Sequence, residues 1–210
     1  ELRDGQLTHR QTVLPGPGLG ARHLDYRGDQ VFVAMERGNR LFTYRYRDGV
    51  LDEHPEFDVS TLRDPDHARV GQRAGAIHLH PNGRYLYVTN RAARTESVTL
   101  GGRAVDVLAG GENDIALFAL DPGSGEPRPV AHFETRGIEP RTFTLDPSGR
   151  FSIVANQSSR NVLDASGTLR VVPRSVVVFA VDDEGRLNFR HEYEFAQGEL
   201  FWIGAVQLPG

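Results

Sequence analysis

The 210-residue sequence contains no cysteine and no lysine. The first absence excludes disulfides, thiolate nucleophiles and cysteine metal sites, and it leaves the redox compartment open. The second excludes any Schiff-base lysine; all 24 basic residues are arginine, which stays protonated and cannot act as a base. Long apolar runs are missing too. None approaches the length of a membrane-spanning helix, and no signal peptide is recognisable. The net charge of -4 is spread over interspersed acids and bases, without the one-signed basic stripe of a nucleic-acid binder. Neither nucleic acid nor a membrane is therefore expected as a partner. No window shows the apolar spacing of three and four that marks an amphipathic helix. The text opens at Glu1 as if inside a domain, so an export signal upstream stays open, and the compartment, cytoplasmic or exported, is unassigned.

What the sequence does contain is a repeat. Ala21–Tyr26 followed by Val31–Glu36 aligns with Gly75–Arg84 followed by Tyr85–Asn90, and with Arg141–Arg150 followed by Phe151–Asn156. Pro81-Asn82-Gly83 and Pro147-Ser148-Gly149 supply tight turns between two β-rich runs, so each unit begins with a hairpin. A third strand with period-two alternation follows at Arg40–Tyr46, Asp114–Leu120 and Ser175–Val181. Turns come next at Asp48-Gly49, Asp121-Pro122-Gly123 and Asp183-Glu184-Gly185, then a fourth strand such as Pro129–Glu134 or Leu187–Glu194. Four consecutive antiparallel strands, repeated, describe a propeller blade. The expectation is an all-β chain: a partial β-propeller ring over residues 1–210, with about three full four-stranded antiparallel blades and a partial strand at each end. The opening Asp4-Gly5-Gln6-Leu7 reads as the turn into a fourth strand.

These blocks resemble the lactonase family of seven-bladed propellers, which includes propeller-type bacterial 6-phosphogluconolactonases and fungal carboxymuconate cyclases. Gly20-Ala21-Arg22-His23 is similar to the family's Gly-Pro-Arg-His strand start, with alanine in place of the proline. Ile77–Arg91, Glu139–Gln157 and Phe201-Trp202-Ile203-Gly204 resemble further family blocks. The resemblance implies three to four blades of seven, the C-terminal half of a ring whose missing N-terminal blades would be its partner. It also implies a small-molecule lactone substrate and no cofactor.

Topology directs the search for a site. In each blade the start of strand one and the end of strand two lie on the same rim, and the long connections Arg91–Asn113 and Gln157–Arg174 join that rim. Arg22 and Glu36 meet there in one blade, Arg141 and Asn156 in another, and Asn90 in the blade between. Arginine can clamp a phosphate or carboxylate bidentately or stabilise a developing oxyanion, and a glutamate can deprotonate water. By the resemblance, Glu36, Arg22 and Arg141 fall on blocks that carry catalytic residues, while the family's histidine would lie in the missing half. His23, Asn90, Arg91 and Asn156 are the candidate substrate contacts.

Each position also has a structural reading. Arg22 and Glu36 can form an ion pair between neighbouring strands, and Arg141 can bind backbone carbonyls. By strand alternation His23 faces away from Arg22 and packs. Asn90 and Asn156 can cap rim turns. His78 and His80 share a strand face two residues apart but lack a third ligand, so no metal is expected. Gly16-Pro17-Gly18-Leu19-Gly20 precedes no helix and is not a dinucleotide loop. Asn156-Gln157-Ser158 is a formal glycosylation sequon and a weak signal. Phe201, Trp202 and Ile203 are read as packing at ring closure. Three functions stay open: hydrolysis of a lactone in the manner of 6-phosphogluconolactonase, lactone-forming cyclisation of a muconate, and a non-catalytic binding platform.

Overall fold

In the computed structural model, residues 2–207 are described. The chain starts with a two-stranded hairpin, β1 (Leu2–Arg3) and β2 (Gln6–Leu7). Three antiparallel blades follow. The first is β3 (Ala21–Arg27), β4 (Gln30–Met35), β5 (Arg40–Arg47) and β7 (Phe57–Ser60), with the short β6 (Val50–Leu51) on the end of β5. The second is β8 (Arg73–Leu79), β9 (Tyr85–Arg91), β12 (Asp114–Leu120) and β13 (Pro127–Glu134). The third is β14 (Ile138–Leu145), β15 (Phe151–Ser158), β18 (Arg174–Val181) and β19 (Leu187–Phe195). A single 3-10 turn, Pro65–His67, is the only helical element among the described residues.

The Asp4-Gly5 turn joins β1 to β2, a two-stranded sheet that pairs with none of the three blades. One part of the sequence reading needs correction. The connections read as long loops are themselves hairpins: β10 (Thr95–Leu100) with β11 (Arg103–Leu108), and β16 (Arg160–Leu163) with β17 (Leu169–Val172). Pairing within each hairpin satisfies backbone groups that an irregular excursion would leave to solvent. The two also touch, through the Asn161 carboxamide donating to the Asp106 carbonyl at 3.0 Å.

The middle blade explains why its strands read as nearly continuous apolar runs. Alternate residues of β9 face opposite neighbours. Leu86 and Val88 pack with Phe32, Ala34 and Leu41 of the first blade, whereas Tyr87 packs with Phe143, Val154 and Val177 of the third. Burying both faces leaves few positions for polar side chains; each large apolar side chain so buried stabilises the stack by about 1.5–3 kcal/mol. The turns lock neighbouring blades. Gly125 (φ 74°) and Gly185 (φ 77°) occupy equivalent turns, and each receives a side chain from the preceding blade. Added Cβ atoms would lie 2.0 Å from Gln30 and 2.8 Å from the Tyr85 ring. The Tyr87 hydroxyl donates to the Gly185 carbonyl at 2.7 Å, completing the joint.

Candidate active site

The first strand of every blade carries a register shift near its start: between Ala21 and His23 in β3, Ala74 and Ile77 in β8, and Pro140 and Thr142 in β14. Such bulges free one side chain from the pleat and re-aim it. They also correct the reading of His23. Strict alternation sets Arg22 and His23 on opposite faces, but the bulge brings Arg22 Nη1 to 3.3 Å from His23 Nδ1. Arg141 occupies the equivalent bulge position of the third blade.

Glu36 follows β4 and is fixed through its backbone on both sides. Its amide donates to the Gly20 carbonyl at 2.7 Å, and its carbonyl accepts from the Ala74 amide at 2.9 Å. Three guanidinium groups meet its carboxylate. Arg22 and Arg73 each approach at 3.7 Å, and Arg91 Nη2 donates a hydrogen bond to Oε1. Arg91, whose side chain is only 8% exposed, reaches the other way with Nη1, donating to Glu139 Oε1 at 2.9 Å. Glu139 Oε2 in turn accepts from the Ser158 hydroxyl at 2.5 Å. This chain of charges runs across the rims of all three blades.

Glu36, Arg73, Arg91, Arg94, Glu139 and Arg141 line one open cleft of about 570 Å³. Four arginines against two carboxylates make it attractive to an anion. Arg141 has no acidic partner among the described residues; its guanidinium lies over the Phe201 ring at 5.2 Å. Burial destabilises the charged form of Arg22, the Arg91 charge adds to this, and Glu36 opposes it. The field of Arg141 also reaches Arg22. His23 is pushed down to about 4, chiefly by burial and then by Arg22, so its imidazole is neutral at pH 7. Its ring meets the Trp202 ring edge-on at 5.7 Å.

Asn90 and Asn156 are placed differently from the substrate contacts expected of them. Both side chains are fully buried. Asn90 Nδ2 donates to the Thr61 carbonyl at 2.6 Å and to Asp114 Oδ1 at 2.8 Å. Asn156 Nδ2 donates to the Thr135 carbonyl at 2.9 Å and to Ser175 Oγ at 3.2 Å. Thr61 and Thr135 each follow the fourth strand of the preceding blade, so the two asparagines tie blade to blade. Neither presents a polar atom to a solute. His78 packs edge-on against Phe143 at 4.8 Å, and His80 Nε2 meets the Gly149 carbonyl at 2.9 Å.

Glu112, Asp114 and His132 bring three potential metal ligands within 4.8 Å of one another. Their acceptor atoms are already engaged. Asp114 Oδ2 meets His132 Nδ1 at 3.0 Å and Arg63 at 3.4 Å, and the Glu112 carboxylate accepts from the Arg63 and Asp64 amides. The chemistry of the cluster is that of a joint between blades.

Residues 1–166 match the lactonase family, described as a 7-bladed beta-propeller. The chain belongs to this family. Its relatives include a 6-phosphogluconolactonase of Bacillus subtilis, 28% identical over 85% of this chain and 47% of the relative. Another, from Formosa agariphila, is 27% identical over 77% of this chain and 42% of the relative. The chain thus spans a little under half the length of these curated relatives. Among solved structures, a Lactobacillus plantarum protein superposes with a TM-score of 0.67 at 26% identity, over 90% of this chain and 46% of its own. The Pseudomonas aeruginosa periplasmic gluconolactonase superposes at 0.62 and 27% identity, over 85% of this chain and 41% of its own. The lactonase propeller here is accordingly a hydrolase-type fold related to 6-phosphogluconolactonase-like enzymes.

Sequence reasoning did not single out Arg73, Arg94, Glu139 or Ser158. A signal existed for Glu139, which stands directly before the Pro140-Arg141 pair. Arg73 and Arg94 carried none beyond their proximity to rim segments.

Proposed function

We propose that this lactonase propeller contributes to opening a lactone that bears an anionic group. The observation that carries the reading is that Glu36 and Arg141, from non-adjacent blades, border the same arginine-rich cleft. The names of the relatives support the same reaction class. Glu36 accepts a proton from water as the water oxygen attacks the lactone carbonyl. Arg22 faces the oxyanion that forms on the carbonyl oxygen, and Arg141 clamps the anionic group by its planar fork. When the ring C–O bond breaks, the leaving alkoxide takes back the proton held by Glu36, and the product is an open hydroxy acid. Neutral His23, whose Nδ1 accepts from Arg22, can donate from Nε2–H to a substrate oxygen.

The test is acid release from 6-phosphogluconolactone by the whole protein, followed at constant pH. Glu36→Gln should lower turnover by roughly two to four orders of magnitude, the contribution of a general base. Turnover in Glu36→Gln within a few-fold of the parent would remove Glu36 from the chemistry. Formation of a lactone from a muconate, with no acid release from any lactone, would replace hydrolysis by cyclisation.

A further inference from the structure

We infer that Glu139 is a positioning residue of this cleft: through Arg91 it fixes the carboxylate of Glu36. The inference rests on the hydrolysis reading for its rate effect and on geometry for the rest. Glu139 sits at φ 60°, the left-handed region that an L residue with a long side chain rarely adopts. Glycine or asparagine would occupy that backbone with less strain, so the glutamate side chain is what the position retains. The strained backbone is itself held. The Glu139 amide donates to Asn113 Oδ1 at 2.8 Å, and the same oxygen accepts from the Ala92 amide at 3.0 Å.

Both carboxylate oxygens of Glu139 are committed, one to Arg91 and one to Ser158. Arg91 is the hinge of the arrangement. Its two terminal nitrogens go to different acids, one to Glu139 and one to Glu36. Because the guanidinium is planar and rigid, fixing one nitrogen on Glu139 fixes where the other presents itself to Glu36. Glu139 also opens the bulge that sets Arg141 in the cleft, being followed directly by Pro140 and Arg141. One residue thereby governs the placement of the acid at one end of the cleft and of Arg141 at the other. It borders a second, smaller polar cavity of about 200 Å³ lined by Gln157, Ser158, Arg160 and Arg174. The competing account is a simple ion pair between the second and third blades, which would affect stability and leave Glu36 untouched.

Glu139→Gln in the whole protein separates the two. The amide keeps the volume and can still accept from Ser158, but it loses the charge that holds Arg91. With 6-phosphogluconolactone as substrate, kcat should fall roughly ten- to hundredfold while KM changes less than twofold, the signature of a misplaced reacting group. In nitrogen-15 spectra the Arg91 guanidinium, held at both ends in the parent, should rotate faster in the variant that loses its Glu139 anchor, and the side-chain carboxyl carbon signal of Glu36 should move. Glu139→Asp keeps the charge but shortens the reach, and it should lose both effects in part; it also serves if Glu139→Gln fails to fold. An unchanged kcat with a lowered Tm would assign Glu139 to the scaffold and overturn the inference. If the parent opens no lactone, the proposed function fails by itself. The spectra then decide this inference: a Glu36 signal that stays in place in Glu139→Gln overturns it.

Discussion

Alanine at Asn90 or Asn156 separates a scaffold role from a substrate role at two equivalent points of neighbouring blades. In Asn156→Ala the buried Thr135 carbonyl loses its donor and the Ser175 hydroxyl loses a partner. A stranded buried polar group costs about 1–3 kcal/mol. Against this, the Asn156 Oδ1 is itself buried without a partner, and alanine removes that orphan. The net loss is therefore set at about 1–2 kcal/mol. Asn90→Ala removes the same kind of orphan at its own Oδ1, strands the Thr61 carbonyl and also withdraws a donor from Asp114, a residue that is 1% exposed. Bonds to charged groups weigh more, so the expected loss is about 2–3 kcal/mol. For a chain of this length each kcal/mol moves Tm by about 2–4 °C, giving falls of roughly 2–8 °C for Asn156→Ala and 4–12 °C for Asn90→Ala. Thermal melts by circular dichroism provide the measurement. Turnover per folded molecule at 25 °C should stay within about twofold, because neither carboxamide borders the cleft. A variant that keeps its Tm and loses turnover would return that asparagine to the substrate site, and a larger fall in Asn156→Ala than in Asn90→Ala would refute the charge argument.

Two further predictions concern Arg141 and His23. Arg141→Lys retains the charge but loses the planar fork, so kcat/KM on a phosphorylated lactone should drop roughly ten- to hundredfold, with a neutral lactone affected much less; equal losses on both substrates would place Arg141 in the scaffold. Trp202 is the sole tryptophan and sits edge-on to His23, so its fluorescence should report protonation of that ring with a midpoint near pH 4. The sign for stability follows. The native state refuses a proton that the unfolded chain accepts at about 6.5, so the contribution is complete above that pH, declines as pH falls towards 4, and is flat below. A fluorescence midpoint near 6.5 would show that His23 is neither buried nor crowded by Arg22.

The blade plan was legible because its cues are local. Pro81-Asn82-Gly83 and Pro147-Ser148-Gly149 announce turns whatever packs around them, and Gly83 and Gly149 do adopt positive φ. Period-two alternation then identifies strands whose faces meet neighbouring blades. The hairpins β10–β11 and β16–β17 carried weaker versions of the same cues. Gly101-Gly102 closes the first with both residues at positive φ, but the strands are short or interrupted by charged residues and mostly exposed, which kept them from reading as a buried sheet.

Part of the candidate cleft's lining was legible in the sequence and its connections were not, for a physical reason. Arg22, Glu36 and Arg141 stand at strand ends that the topology sends to one rim, and they can be named from spacing. Their contacts depend on the three bulges, each a register shift that leaves no distinctive residue type behind. Alternation alone gave His23 the wrong face. Asn90 and Asn156 illustrate the converse difficulty: a carboxamide at a strand end suits a ligand and a neighbouring carbonyl equally, and only burial separates the two. Glu139 is the hardest case. Its backbone conformation is one that sequence reading reserves for glycine or asparagine, so the residue gives no local hint of the bend it makes. The bend becomes intelligible once Asn113 is seen holding the amide and Arg91 and Ser158 the carboxylate, partners that lie 26, 48 and 19 residues away in sequence.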